Sequence, residues 1–402
     1  MYARARAALR LFRVRRSGWG NVLQELLLNA ELAFRANRAF VTDDYVWARD
    51  GGPYAHYDHS DSNSTRNFKL IPARIPLAAL LGGLPVGAPL PRQFSRTHPR
   101  AVSRAAFERA CAEPEVLDAG AVKATLPWDA PASRIFAAWV AALDAHGPCV
   151  VIEKDSGQIF DIWLLSSWPA VRVSPIITRF RWPPLITAAL LRNVRHFPSS
   201  PELLASPKRT YTDEHPPTSL PLMPGLLALH VRRGDFASHC THLANWGAEF
   251  NGYLSGFMRN WGSTTPANHV LYLRRCFPSI PQIVEKVRRV RTMFEARSQR
   301  RLTWVYVMTN ADLAWLAELE AALRDTQVDV RDVGTGNLTW DGISTSRDLV
   351  LTWEQKYVAQ AVDMYIATRA EVFIGNGFSI LTSNVVMLRM ARDVDPRDTH
   401  FW

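Results

Sequence analysis

The stretch Leu226-Leu227-Ala228-Leu229-His230-Val231-Arg232-Arg233-Gly234-Asp235-Phe236 decides the architecture. An unbroken apolar run of strand length, closed by charge and a glycine, reads as a strand buried on both faces. Such strands belong to parallel sheets covered by helices. Strand side chains alternate, so His230 and Arg232 share one face while Arg233 takes the other. Gly234 permits a sharp exit. In open α/β sheets ligands bind beyond the carboxyl ends of the strands, where Arg232 stands. A guanidinium there can fork onto a phosphate through charge-assisted hydrogen bonds. The alternative is a structural Arg–Asp pair within one turn, with His230 simply packed.

Working outward, residues 198–224 carry prolines at 198, 201, 207, 216, 217, 221 and 224, the composition of a linker. Beyond it, strands are expected at 226–231, 304–308, 328–330 and 372–374, and helices at 311–324, 353–368 and 379–390. Alternating strands and helices argue for a mostly parallel sheet. Before the linker, a helix over 22–37, a strand at 39–41, a helix over 133–146 and a strand at 148–153 give a second α/β unit. Residues 51–100 read as a long loop insertion. The division is a basic segment 1–17, a first α/β domain 18–200 with a loop insertion, a linker 201–224 and a second domain 225–402.

Two further motifs carry chemistry. Phe373-Ile374-Gly375-Asn376-Gly377-Phe378-Ser379-Ile380-Leu381-Thr382-Ser383-Asn384 runs from a strand through a small-residue turn into a helix. The helix start presents unpaired N–H groups and a positive dipole end, a ready anion site, with Ser379, Thr382 and Ser383 adding hydroxyls. It is neither a P-loop nor a full dinucleotide fingerprint, and a plain strand–helix turn is the other reading. Gly18-Trp19-Gly20-Asn21 precedes Glu25. Asn21 and Glu25 are four apart and share one helix face, with a simple capping turn as the alternative.

Composition limits the rest. With 402 residues, 48% hydrophobic and 21% charged, the chain is globular rather than disordered, and its length suits two or three domains. Lys and Arg exceed Asp and Glu by 47 − 37 = 10, and Lys occurs only six times, so Arg supplies nearly all of the basic excess. Arg-rich surfaces suit bidentate recognition of phosphate or carboxylate; codon bias would give the same count. Six arginines precede the first acid, Glu25, without a signal-peptide apolar core. The basic segment reads as a presequence or a leftover stem. The apolar stretch 75–91 is too short and too proline-broken to span a membrane. Cys111, Cys149, Cys240 and Cys276 fit no zinc pattern; they permit two disulfides of unreadable connectivity, or four buried thiols. Asn63 and Asn337 begin glycosylation acceptor triplets.

In this order, the Gly-rich turn with Asn21, the His230-x-Arg232 strand end and the Phe373–Asn376 stretch with Ser379 resemble the GDP-fucose protein O-fucosyltransferase superfamily. The apolar helix 361–367 is similar to the one preceding the family's last motif. His-x-Arg-Arg-Gly-Asp also resembles the α1,2- and α1,6-fucosyltransferases, and the ending Arg397-Asp398-Thr399-His400-Phe401-Trp402 looks like the fungal members. The resemblance covers 18–40 and 225–402 most closely. It implies a GT-B-like α/β fold, two Rossmann-like domains facing across a cleft, and an inverting transfer of fucose from GDP-fucose to a glycan or protein hydroxyl, Ser or Thr included. GDP-fucose is then the donor substrate, and no metal or other cofactor is implied; Asp393-x-Asp395 lies in the tail rather than at a strand end. By the same resemblance Arg232 grips the β-phosphate, His230 lies against the nucleoside, and Ser379, Thr382 and Ser383 hold phosphate. Glu371 contacts guanine, Gly20 and Asn21 face the pyrophosphate, and Asn376 belongs to the donor-binding set. Ser379-Ile380-Leu381 departs from the family's Ser-Ser-Phe. No motif fixes a general base; Glu25, Asp43, Asp44 and Asp50 are candidates, and a dissociative displacement would let the departing phosphate take the proton. A secretory-lumen location follows from the resemblance alone, since no signal peptide or anchor is readable. The rival functions are a non-catalytic nucleotide-sugar-binding protein and a basic nucleic-acid-binding protein, although no nucleic-acid motif occurs.

Overall fold

The computed structural model describes residues 8–10, 18–46, 54–57, 69–127, 130–153, 164–198, 221–250, 252–254, 266–325 and 339–402. The chain divides into two compact units, 1–184 and 185–402. The division falls before the proline-rich stretch, so residues 185–198 pack with the second unit rather than the first. Residue 193 shows why. The buried Asn193 side chain accepts the Val350 N–H at 2.7 Å and donates to the Val350 carbonyl at 3.0 Å.

The first unit is built on strands β1 (Ala8–Arg10), β2 (Ala39–Thr42), β3 (Val102–Ser103), β4 (Glu115–Asp118) and β5 (Cys149–Glu153). They pair in the order β3-β2-β1-β5-β4, every pairing parallel. The basic N-terminal segment is thus corrected in part: Ala8–Arg10 is the middle strand of a sheet, not a stem outside the fold. Helix α1 (Trp19–Arg35) follows β1, α2 (Arg104–Ala110) follows β3 and α3 (Ala132–Asp144) precedes β5. The helix α1 buries Leu23, Leu27, Ala30 and Phe34's neighbour Ala33 at helical spacing. A disulfide joins Cys111, just past α2, to Cys149 at the start of β5.

The second unit has strands β6 (Met223–Val231), β7 (Trp304–Thr309), β8 (Gly342–Thr345), β9 (Ala370–Gly375) and β10 (Thr399–Phe401). The order is β8-β7-β6-β9-β10, again parallel throughout. Chain order therefore runs outward from β6 through β7 to β8, then reverses and places β9 on the other side of β6. The connecting helices are α4 (Phe236–Trp246), α5 (Pro266–Cys276), α6 (Ile280–Ser298), α7 (Leu313–Arg324), α8 (Ala359–Arg369) and α9 (Ile380–Met390). Leu227, Leu229 and Val231 of β6 join Val305, Val307, Val372 and Ile374 in a core with α6 and α7, through Ile283, Val287, Leu319 and Leu323. The alternate residues of β6 face away from that core.

Two sequence expectations change, in the helix 353–368 and the start of β6. The strand expected at 328–330 lies outside the described residues, and the strand that pairs with β7 is β8. The helix expected over 353–368 is broken at Val358 into Trp353–Tyr357 and α8. Strand β6 begins three residues early. Cys240 and Cys276 form a disulfide joining α4 to α5, so all four cysteines are paired.

Candidate functional site

The reversal of strand order in the second unit lies between β6 and β9. Helices leave such neighbouring strands to opposite sides, which opens a crevice at their carboxyl ends. Two of the three motifs meet there. Strand β6 ends at Val231, and the chain continues into Arg232 and Arg233. Gly234 then turns with φ +61°, a left-handed value that suits glycine. Strand β9 ends at Gly375, and Asn376 begins the turn into α9.

His230 is 6% exposed and its Nδ1 lies 2.8 Å from the Thr382 hydroxyl, which ties β6 to the first turn of α9. Burial, with the Arg232 charge adding to it, pulls His230 down to about 3, so the imidazole is neutral at working pH. The Thr382 oxygen also accepts the Asn376 N–H at 3.1 Å. One hydroxyl thus holds both the imidazole and the turn after β9. This close approach needs Gly375: a Cβ there would stand 2.3 Å from the Thr382 methyl.

Arg232 and Arg233 have opposite fates. The Arg232 side chain is 42% exposed, pairs with Asp235 at 3.0 Å and lies 5.0 Å from the Phe236 ring centroid. Both partners of that pair are solvated, so it holds weakly. An anion arriving at the strand end can take the guanidinium from Asp235. Arg233 is buried. Its guanidinium sits between the Phe277 and Trp315 rings, at 4.3 and 4.2 Å, and donates to the Pro278 carbonyl. Burial lowers its pKa to about 10. Asn310, just past β7, clamps the turn by accepting the Arg233 N–H at 2.7 Å and donating to the Arg233 carbonyl at 3.0 Å.

The α9 start is arranged for an anion. Ser379 is the N-cap residue, yet its side chain makes no capping bond. The first intrahelical bond runs from the Ser383 N–H to the Ser379 carbonyl at 3.1 Å. The N–H groups of Ile380, Leu381 and Thr382 precede it and lie at the positive end of the helix dipole.

Several expected site residues are placed differently. Thr382 and Ser383 are fully buried, and their hydroxyls are engaged inside the unit, Ser383 accepting the Tyr253 N–H at 2.9 Å. Asn376 is a scaffold for the turn: its amide donates to the Cys276 carbonyl at 2.7 Å and accepts the Phe378 N–H at 3.0 Å. Glu371 is a correction. It stands near the start of β9, accepting the Gly225 N–H at 2.6 Å and pairing with Arg300 at 2.5 Å. Four strand steps separate it from Gly375, about 13 Å at ~3.3 Å each, so it lies at the amino edge of the sheet, away from Arg232. Glu25 is another. It is fully buried within the first unit, where the Asn29 amide donates to it at 3.5 Å. Gly20 and Asn21 begin α1, at the carboxyl end of the first sheet, with Gly20 buried and Asn21 half-buried. Asp43 pairs with Arg104 at 3.4 Å, Asp44 is exposed, and Asp50 lies outside the described residues.

One acidic group escaped the sequence reading. Asp363, in α8, accepts the Tyr306 hydroxyl at 2.5 Å and the Ser346 hydroxyl at 3.0 Å, beyond the carboxyl end of β8. Burial raises its pKa to about 6, against the pull of those two hydroxyls. A lone acid in the apolar run Ala361-Val362-Asp363-Met364-Tyr365 was the available signal. Among the described residues no group of three or more His, Cys, Asp and Glu side chains could hold a metal ion, and no helix is long and apolar enough to cross a membrane.

No family model and no curated protein matches the sequence. Solved structures do. POFUT1 in complex with GDP-fucose matches 100% of this chain and 99% of its own, with TM-score 0.55 and 13% identity. The POFUT1 apo form matches over the same shares with TM-score 0.53 and 13% identity. A GDP complex of POFUT1 matches 98% of each chain with TM-score 0.50 and 14% identity. At such identities the likeness is one of fold: the chain shares the fucosyltransferase-like fold of POFUT1.

Proposed function

We propose that the protein is a GT-B-type fucosyltransferase that moves fucose from GDP-fucose to an acceptor hydroxyl, with inversion and without a metal, and that protein Ser or Thr is the acceptor. The observation that carries this reading is the meeting of a solvated Arg232 with the open first turn of α9 at the strand-order reversal of the second unit. Arg232 forks onto the β-phosphate, displacing Asp235. The α9 N–H groups and the Ser379 hydroxyl receive the remaining oxygens. Together they stabilise the charge that grows on the diphosphate as the glycosidic bond breaks, the task of an oxyanion site. Neutral His230 lies beneath the nucleoside and fixes α9 through Thr382. With Glu371 at the far edge, Asp363 is the carboxylate suited to the guanine N–H donors. With Glu25 buried, the departing phosphate itself takes the acceptor's proton.

The test is incubation with GDP-fucose in excess chelator, with mass spectrometry of released fucose and of hydroxyl acceptors, and NMR of the product anomer. The reading expects turnover in chelator and an inverted product. Turnover that appears only on adding a divalent metal, or an unchanged anomeric configuration, would overturn the corresponding part. Intact GDP-fucose with tight GDP binding would favour the non-catalytic binding protein instead.

A further inference from the structure

A basic pocket lies in the second unit between the end of α5, α6 and the end of β10. It has a volume of about 520 Å³, within the range of small-molecule sites. Arg274 and Arg275 from the end of α5 and Lys286 and Arg289 from α6 converge on it, and Phe401 and Trp402 at the end of β10 form its apolar wall. Against these four cations the lining holds one acid, Glu285, already paired with Arg274 at 3.2 Å. Lys286 and Arg289 are three apart on one helix face, so their charges are neighbours by construction.

We propose that this pocket binds a multiply charged oxyanion ester, a phosphorylated or sulfated small molecule whose ring lies against Trp402. The lining carries four cations and one acid, so a doubly charged diphosphate or disulfate suits it better than a single carboxylate, and arginine offers the planar fork that such oxygens accept. The electrostatics agree. Burial and the Arg289 and Arg275 charges lower the Lys286 ammonium to about 8, and burial with Lys286, Arg297 and Arg289 holds His400 down to about 4. The pocket also backs onto the strand that carries Arg232: the Trp402 indole N–H donates to the His230 carbonyl at 2.9 Å. The pocket adjoins the carboxyl ends of β6 and β9, and the proposal is distinguished from the donor reading by Lys286 and Arg289, which that reading does not use.

The experiment uses Arg232→Ala full-length protein, so that anion binding at the β6 end does not contribute. Limiting reductive methylation with peptide mass spectrometry reads Lys286 directly, with the exposed Lys356 as an internal control. Inorganic pyrophosphate and a sulfated disaccharide form two arms, and the arm that protects at the lower concentration identifies the source of the anion. The expected result is at least fivefold slower labelling of Lys286 and unchanged labelling of Lys356. Arg289→Gln, at an exposed position, should raise the half-protecting concentration at least fivefold. Equal Lys286 labelling with and without both anions overturns the proposal, as does protection that Arg289→Gln leaves intact.

Discussion

The two edges of the second sheet hold charged residues of similar appearance in sequence and of opposite use. At the carboxyl edge Arg232 is solvated, its carboxylate partner Asp235 is solvated too, and the start of α9 carries no side-chain cap. At the amino edge Glu371 is 2% exposed, satisfied by the Gly225 N–H and by Arg300, and closed to ligand. Strand direction, rather than charge, separates a binding edge from a structural one. Arg232 and Arg233 repeat the lesson one residue apart, because the strand's alternation sends one to the crevice and the other between Phe277 and Trp315.

The largest expected effect tests the carboxyl edge. Arg232→Ala should lower fucosyl transfer about a hundredfold or more, since a charge-assisted hydrogen bond is worth about 1.5–3 kcal/mol and each 1.36 kcal/mol is about tenfold in rate. Arg232→Lys should recover little of that, an ammonium having no fork. The melting temperature of both should stay near wild type, because the Asp235 pair is exposed. A normally folded Arg232→Ala enzyme with near-full transfer would remove the phosphate-clamp role.

Arg233→Ala should do the reverse. Losing both ring contacts and the Pro278 bond should cost about 2 kcal/mol of stability, while transfer per folded molecule changes little. Urea unfolding beside initial rates separates the two arginines; equal losses of rate in both variants would erase the distinction.

A smaller effect concerns pH. His230 is depressed to about 3 in the folded chain against about 6.5 unfolded, so below pH 6.5 the unfolded state takes up the proton first. Its contribution is complete above pH 6.5 and is lost towards pH 3, at up to about 1.4 kcal/mol per pH unit. His400, held at about 4, adds in the same direction. The variant His230→Gln should lose stability less steeply than wild type between pH 6.5 and 4.5, read as the shift in urea midpoint. Parallel pH profiles would show that His230 is not held neutral by the fold.

Much of the second unit was legible because β6 carries the largely apolar run 226–231 just after Pro224 and Gly225, and because β9 passes directly into a Gly-x-Gly turn. The elements that escaped lack that signature. Strand β1 is three residues inside an arginine-rich tract, β8 reads Gly-Ile-Ser-Thr, and β10 reads Thr-His-Phe. Each is a strand because its neighbours pair with it, a tertiary cause that no local pattern carries. The cysteine pairs depend on proximity of the same kind. At the site, sequence order placed Glu371 next to the Gly375 turn, whereas one strand length carries it to the other edge. Asp363 was hidden for the complementary reason: it lies twelve positions before Gly375 in sequence (375 − 363 = 12), and the helix α8 returns it to the carboxyl ends. Thr382 and Ser383 were correctly placed near the helix start, but helical rotation turns both inward.

The most direct test of the two-edge account is calorimetry of GDP binding in excess chelator on wild type, Arg232→Ala and Glu371→Gln. The account predicts GDP affinity at least tenfold weaker in Arg232→Ala, and affinity within twofold of wild type in Glu371→Gln. An Arg232→Ala protein that binds GDP as wild type does, or a Glu371→Gln protein that loses binding while still folded, would contradict it.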